Sequence, residues 1–376
     1  MLNEAIGLQE RGHVVDVYAP TVSGNVFPEL MNQVSVHELF PFLPRSLGLR
    51  DALGMLLASS MAPVFINRFR EYDAIVAHSQ PSNWIALNIK KALKIPYVAY
   101  LHQPNRFLYP REIDILTGYD VNPNYKLLDS LHSFRRLLEG LDGASIRGSE
   151  TVLVNSKWIK ASVDEIYGLK SLVCYPGVDE EFFNTESETS EEYDGQRYIL
   201  STNRHYPQKR LDYVIMSLPQ VNRRHPDCSY VITGAFTSYT DYLRKLAQRL
   251  GVFDRVVFTN KISEEELKQR YRNAYLYAYT SPEEDFGLGP LEAGACGVPS
   301  VAWDNAGPRE TVVDGVTGYR VEPFEIKKLA EAQNSLLGDQ ETRNRMGANA
   351  RRFVRERFTW DKHNDRLETV LETVVG

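Results

Sequence analysis

The sequence predicts an α/β protein made of two doubly wound, Rossmann-like halves. Strand-like and helix-like segments alternate along the chain, the pattern of parallel sheets with crossover helices. At 376 residues the chain exceeds what one ordinary core holds and suits two domains. Between the two alternating series lies Glu186–Gln196 (ESETSEEYDGQ), acidic, polar and almost free of apolar residues, which reads as a linker or surface loop.

In the first half, Met1–Arg11 reads as a helix running into a strand over His13–Ala19 (HVVDVYA). Asp73–Ala77, Pro96–Leu101 and Thr151–Asn155 continue the strand series. Tyr125–Leu141 reads as a helix with Leu and Phe on one side and Arg135 and Arg136 on the other. In the second half, Tyr198–Thr202, Tyr230–Thr233, Val256–Thr259, Ala274–Thr280 and Pro299–Trp303 are the expected strands. Helices such as Thr240–Leu250 and Glu264–Asn273 fall between them. Two such halves are expected to leave a cleft between them, with ligands at the carboxyl ends of the strands. A doubly wound half ordinarily opens on a strand and a Gly-rich turn; this sequence opens on the helix, so that strand is expected to be missing.

Hydrophobic residues make up 43% and charged residues 24%, the composition of a folded globular protein. The net charge of −6 argues against a nucleic-acid partner, which favours a basic excess, yet allows a local basic cleft for a phosphate ligand. Cys174, Cys228 and Cys296 lie far apart with no metal or redox spacing, as reduced thiols of a cytoplasmic protein would. No segment reads as a secretory leader or a bilayer span. There is no D-x-D and no His/Asp/Glu cluster at metal spacing, so neither a metal nor another cofactor is expected. The motifs of nicotinamide binding, NTP hydrolysis and serine hydrolysis are missing as well.

The chemistry concentrates in Ser281–Pro299 (SPEEDFGLGPLEAGACGVP). A strand ending near Ser281 places this stretch at the carboxyl edge of the sheet. Gly287 and Gly289 allow unusual backbone angles and close approach to a ligand. Pro290 suits the first position of the next helix, whose free N–H groups suit a diphosphate. Glu284 in the loop and Glu292 in the first helical turn then face one ligand, where carboxylates accept hydrogen bonds from sugar hydroxyls. The plainer alternative is a helix-capping Glu292 and a solvated Glu284. Ser201–Arg210 (STNRHYPQKR) follows the first strand of the second half. Its Arg204 and Lys209 make a fork and a point charge for a diphosphate leaving group, or else a solvated basic loop. In the first half His102 ends one strand and His78 another, and position alone does not separate them. The other histidines read as surface or packing residues.

With these motifs in this order, the sequence resembles the retaining glycosyltransferases of the GT-B fold, family four, over nearly its whole length. Glu284-Asp285-Phe286-Gly287-Leu288 through Glu292-Ala293 is similar to that family's E-x7-E motif, and Asn203-Arg204 through Lys209-Arg210 to its phosphate loop. Gly307–Val312 with Asp314–Gly318 resembles the segment that follows. Thr151–Ser156 with Tyr175–Asp179 resembles the end of the first domain. Phe358-Thr359-Trp360 resembles the entry to a last helix that crosses back to it. The resemblance implies an N-terminal domain over 1–180, completed by 358–376, and a nucleotide-sugar domain over 181–357. It implies that Arg204 and Lys209 hold the donor diphosphate, with Phe286, Gly287 and Leu288 completing the cradle. It further implies that Glu292 binds ribose, Ile262 lies against the base, Glu284 contacts the donor sugar and His102 contacts that sugar from the first domain.

The implied reaction is a metal-independent hexosyl transfer that retains anomeric configuration. The segment Leu101–Tyr109 and the Glu284–Gly287 run resemble the GDP-mannose-using branch, with UDP-sugars as the second option. The expected acceptor is a glycan or a lipid-linked acceptor, as in polysaccharide biosynthesis. Phe40–Arg70, apolar with scattered Arg, is either a packed helix or a peripheral contact with the inner membrane face. The rival readings are a non-catalytic glycosyltransferase-like subunit that only binds nucleotide sugar or a partner chain, and a sugar epimerase of the same fold.

Overall fold

The structure is a computed structural model that describes residues 1–19, 32–39, 64–117, 132–179, 182 and 197–376. The expected linker and most of the 40–70 stretch lie outside these residues. Of the helix expected over 125–141, the described part is His132–Arg147. The chain divides into two compact units, taken as far as the described residues go: Met1–Tyr109, Pro123–Gly177 and Trp360–Gly376 form unit 1, and Pro110–Asn122 with Val178–Thr359 form unit 2. The segment from Pro110 thus counts with unit 2, although the sequence boundary places it in the first domain.

Unit 1 holds strands β1 (Asp16–Ala19), β2 (Ser35–Glu38), β3 (Ile75–His78), β4 (Tyr97–Leu101), β5 (Thr151–Val154) and β6 (Leu172–Val173). They form a parallel pair β1-β2 and a four-stranded parallel sheet in the order β3-β4-β5-β6. Every residue of β4 (YVAYL) is buried, since a parallel strand covered on both faces reads as a continuous apolar run. The last helix, Trp360–Val375, packs Leu367 and Val370 against Leu8, Val98, Tyr100 and Leu153. It belongs to unit 1, as the sequence expects. A cavity of about 1010 Å³ lies beside β1 and β3, lined by Val15, Val17, Ile75, Ala77 and Leu371 and reaching Glu4 and His78.

Unit 2 holds β7 (Tyr198–Ser201), β8 (Ser229–Thr233), β9 (Val256–Thr259), β10 (Leu276–Tyr279), β11 (Ser300–Trp303) and β12 (Gly318–Val321). All pair in parallel in the order β12-β11-β10-β7-β8-β9. This is the doubly wound order in which the winding reverses beside the first strand, here between β7 and β10. Ligands of such sheets bind outside the carboxyl ends at that reversal. Ile199, Leu211, Val214, Leu218, Tyr230, Leu276 and Trp303 lie in one core that fixes these strand ends. Local signals set the helix starts: the Ser263 side chain accepts from Glu266 N at 3.1 Å, opening the helix Glu264–Asn273 as an N-cap does.

Candidate functional site

Two loops leave unit 2 at the reversal point. The loop after β7 runs through Thr202 and Arg204 into a short 3₁₀ turn, Pro207–Lys209. The loop after β10 runs from Thr280 to Gly287. Thr280 Oγ1 donates to the carbonyls of Lys209 (3.2 Å) and Arg210 (2.9 Å), so the two loops are fastened at their bases. At their tips Lys209 Nζ donates to Glu284 Oε2 at 2.5 Å, and Ser281 Oγ donates to the same oxygen at 2.7 Å. The sequence leaves Glu284 a choice between a solvated and a ligand-facing carboxylate; its side chain is only 15% exposed and ion-paired. Burial pushes the Glu284 carboxyl up. The Lys209 ammonium, the Ser281 hydroxyl and the Arg111 guanidinium outweigh it and hold it down at about 2. The carboxylate is therefore ionised at neutral pH.

Asp285, next in the chain, is pushed upward by burial and by the Glu284 charge, against Arg111 and Lys209. Arg111 comes from the 110–117 segment. Its guanidinium donates to both Asp114 oxygens (2.9 and 2.7 Å) and to the Glu283 carbonyl (3.0 Å). Ile113 N donates to Glu283 Oε2 at 3.2 Å. On the other side Glu283 N donates to Asn305 Oδ1 and Gly307 N donates to the Glu284 carbonyl, each at 2.9 Å. The Glu283–Glu284 loop is held between these two segments. Sequence reading missed Arg111 and Asn305; neither lies in a motif, and Arg111 sits in a stretch assigned to the other domain.

Gly287 has φ +96° and ψ 67°, and the helix after it runs over Leu288–Ala295. It begins two residues before the position expected at Pro290. The reason is the left-handed turn at Gly287, which reverses the chain early and leaves Pro290 as the third helical residue, without an N–H to offer. Leu288 and Gly289 supply the open N–H groups at this end. Glu292 accordingly stands in the second helical turn and not the first. Its Oε2 accepts from Tyr271 OH at 2.5 Å, and Tyr271 meets Thr202 Oγ1 at 2.6 Å. Burial raises the Glu292 carboxyl. The Phe286 ring is buried and packs 5.8 Å from Phe358.

Arg204 is exposed, its guanidinium 6.0 Å from the Tyr206 ring centroid. Ile262 is half-buried in the loop after β9, on the same sheet edge but two strands from β7. The loops after β7, β8 and β9 are tied through His205 N to Ala235 O (3.1 Å) and Phe236 N to Asn260 Oδ1 (3.3 Å). Unit 2 thus brings Lys209 and Glu284 into direct contact and joins Glu292 to the β7 loop through Tyr271.

Two family models cover the chain nearly end to end. "Glycosyltransferase Family 4" matches residues 1–182 and "Glycosyl transferases group 1" matches residues 182–353. The chain belongs to glycosyltransferase family 4. An uncharacterized glycosyltransferase of Methanocaldococcus jannaschii is 28% identical over 97% of this chain and 90% of that protein. A GDP-mannose-dependent phosphatidylinositol monomannoside mannosyltransferase of Mycolicibacterium smegmatis is 34% identical over 52% of this chain; the aligned part is 54% of that relative. Among solved structures, the Anabaena HepE protein in complex with UDP and glucose superposes with a TM-score of 0.76 over 99% of this chain and 94% of that one, at 22% identity. That likeness is one of fold.

In unit 1 of this family-4 glycosyltransferase, His102 follows β4 and His78 ends β3. The two histidines that position alone did not separate are partners, with His78 Nδ1 3.2 Å from His102 Nε2. Burial, the largest cause, lowers His102 well below its ordinary value, so its imidazole is neutral at physiological pH. Among the described residues no cluster of His, Cys, Asp and Glu could hold a metal ion, and no helix is long and apolar enough to cross a membrane.

Proposed function

We propose that this glycosyltransferase moves a hexose, mannose by preference, from a nucleotide diphosphate sugar to a glycan or lipid-linked acceptor with retention of configuration. The observation that carries the reading is the Lys209–Glu284 pair at 2.5 Å, at the point where such sheets bind nucleotides. Here a cation for a diphosphate and an ionised carboxylate for sugar hydroxyls are adjacent. The GDP-mannose-dependent relative supports a GDP-sugar donor; the UDP complex of the Anabaena protein keeps UDP-sugars in play.

In this proposal Lys209 and Arg204 take the diphosphate, assisted by the backbone of Gly287 and Leu288. Glu292 accepts from ribose hydroxyls, Ile262 lies against the base, and Glu284 and His102 contact the sugar. The bond between the anomeric carbon and the phosphate oxygen breaks, and the acceptor oxygen bonds to that carbon on the same face. The departing phosphate oxygen takes the acceptor's proton. The protein's work is then to stabilise the charge that develops on the diphosphate, with no metal ion. A cytoplasmic site of action, with peripheral contact at the inner membrane face, is part of the same proposal.

The test is release of nucleotide and free sugar from GDP-mannose, UDP-glucose and ADP-glucose in the absence of acceptor. Slow hydrolysis of one donor, lost in Lys209→Ala, is expected. Binding without any turnover would point instead to a non-catalytic nucleotide-sugar subunit.

A further inference from the structure

Four elements of unit 1 meet at a buried carboxylate. Glu4, on the helix Leu2–Glu10, is 4% exposed, and a carboxylate so placed requires partners. His363, from the last helix, is 2% exposed. Its Nε2 lies 2.8 Å from Glu4 Oε2 and its Nδ1 2.8 Å from the Tyr175 carbonyl oxygen. Both neighbours are acceptors, so both ring nitrogens must donate and His363 is an imidazolium. The other Glu4 oxygen, Oε1, lies 2.8 Å from His78 Nε2. With the carboxylate ionised, that nitrogen too must donate.

This fixes the remaining proton. His363 already balances the charge of Glu4. A second imidazolium at His78 would add uncompensated charge among Glu4, His102, His363, Tyr100, Cys174 and the Met1 amino group, the groups that face this cluster. His78 therefore keeps its proton on Nε2 and presents a lone pair on Nδ1. Across 3.2 Å, His102 must donate from Nε2, which leaves the lone pair of His102 on Nδ1. The His102 ring is stacked on His78 at 5.5 Å and set against Tyr100 at 4.7 Å, so its orientation is fixed along with its tautomer.

We infer that Glu4 and His78 are positioning residues for His102, setting its proton on Nε2 so that Nδ1 stands as a hydrogen-bond acceptor for a hydroxyl group of the sugar substrate. This rests on the reading of His102 as a sugar-contacting residue. A neutral acceptor at Nδ1 selects a donating hydroxyl, where the opposite tautomer would offer an N–H. The rival account is a structural knot that ties together the first helix, β3, β4 and the last helix and does nothing to His102.

The experiment is a long-range ¹H–¹⁵N correlation of the full chain with ¹⁵N-labelled histidine at neutral pH, on wild type, His78→Phe and Glu4→Gln. Wild type is expected to show His102 protonated on Nε2 alone. Both variants are expected to move its two nitrogens toward the averaged shifts of a tautomer mixture. A wild-type His102 protonated on Nδ1, or a spectrum unchanged in His78→Phe, overturns the inference. If the variants do not fold, the wild-type spectrum alone decides.

Turnover of the donor that wild type hydrolyses gives the second readout. His78→Phe should lower kcat roughly tenfold, the effect of about one misplaced hydrogen bond, with little change in KM, and should add no further loss in a His102→Ala background. An equal loss in both backgrounds would mean a structural knot only. If wild type turns over no nucleotide sugar, the reading of His102 as a sugar contact fails, while the tautomer result still stands or falls on the spectrum.

Discussion

Lys209 Nζ lies 2.5 Å from Glu284 Oε2, so the cation from the loop after β7 and the carboxylate from the loop after β10 neutralise each other where the winding of the sheet reverses. In the proposed function, a donor entering there would exchange partners with this preformed pair, its diphosphate taking Lys209 and its sugar hydroxyls taking Glu284. The charges are in place before the ligand arrives, the arrangement that lowers reorganisation cost during reaction.

Under the proposed function, replacing Lys209 with Ala removes the point charge offered to the diphosphate. Donor turnover is expected to fall by about 10²–10³, with secondary structure retained by circular dichroism. Lys209→Arg should recover part of the rate but not all, because a planar fork does not reproduce a compact ammonium. Turnover near wild type in Lys209→Ala would remove this residue from the mechanism.

The same pair makes stability depend on pH. Glu284 is held at about 2, below its ordinary value of 4.5. A depressed carboxyl adds stability that is present above pH 4.5 and is lost as pH falls through about 2. Since the side chain is 15% exposed, the contribution is on the order of 2 kcal/mol. Urea midpoints measured across that window should fall more steeply for wild type than for Glu284→Gln. Parallel curves would show that the pair contributes nothing to folding.

At Gly287 the backbone sits at φ +96°, and an added Cβ would stand 3.2 Å from Thr311 Oγ1. Gly287→Ala should cost about 1–3 kcal/mol and weaken nucleotide binding by displacing the Leu288 N–H. Gly297 also has positive φ, +80°, but nothing within 4 Å of an added Cβ. Gly297→Ala should lower the melting temperature without changing nucleotide affinity. Equal affinity losses in both variants would mean a global effect.

His363, held up at about 10 through Cys174 and Glu4 against its burial, works in the opposite direction. A raised imidazole adds stability that is complete below its ordinary value of 6.5 and is lost as pH rises through about 10. Wild type should lose stability across that window, and His363→Phe should show a flatter profile. A wild-type profile no steeper than the variant's would contradict the imidazolium assignment.

Strand cores were legible because parallel strands buried on both faces leave runs such as TVLV at Thr151–Val154 and SVAW at Ser300–Trp303. The helix Glu264–Asn273 was legible to the residue, since Ser263 supplies a capping side chain just before it. β12 escaped as a strand: only four residues long, with its two ends buried and its middle half-buried, it carries no alternation. The helix start at Leu288 escaped because the preference of Pro for the first helical position competes with the left-handed turn at Gly287, and the turn prevailed. The Glu4–His363 contact joins positions 359 apart, a separation no local pattern spans. Arg111 reaches Glu283 across 172 positions and escaped for the same reason.

Binding of a nucleotide diphosphate through Lys209 is the claim on which the rest depends, and thermal unfolding with GDP, UDP and ADP, with and without their sugars, tests it most directly. Mass action raises the melting temperature of a protein that binds only when folded. One nucleotide, GDP by preference, should raise that of wild type and leave Lys209→Ala unmoved. No shift with any of the three, or equal shifts in wild type and Lys209→Ala, would contradict the account.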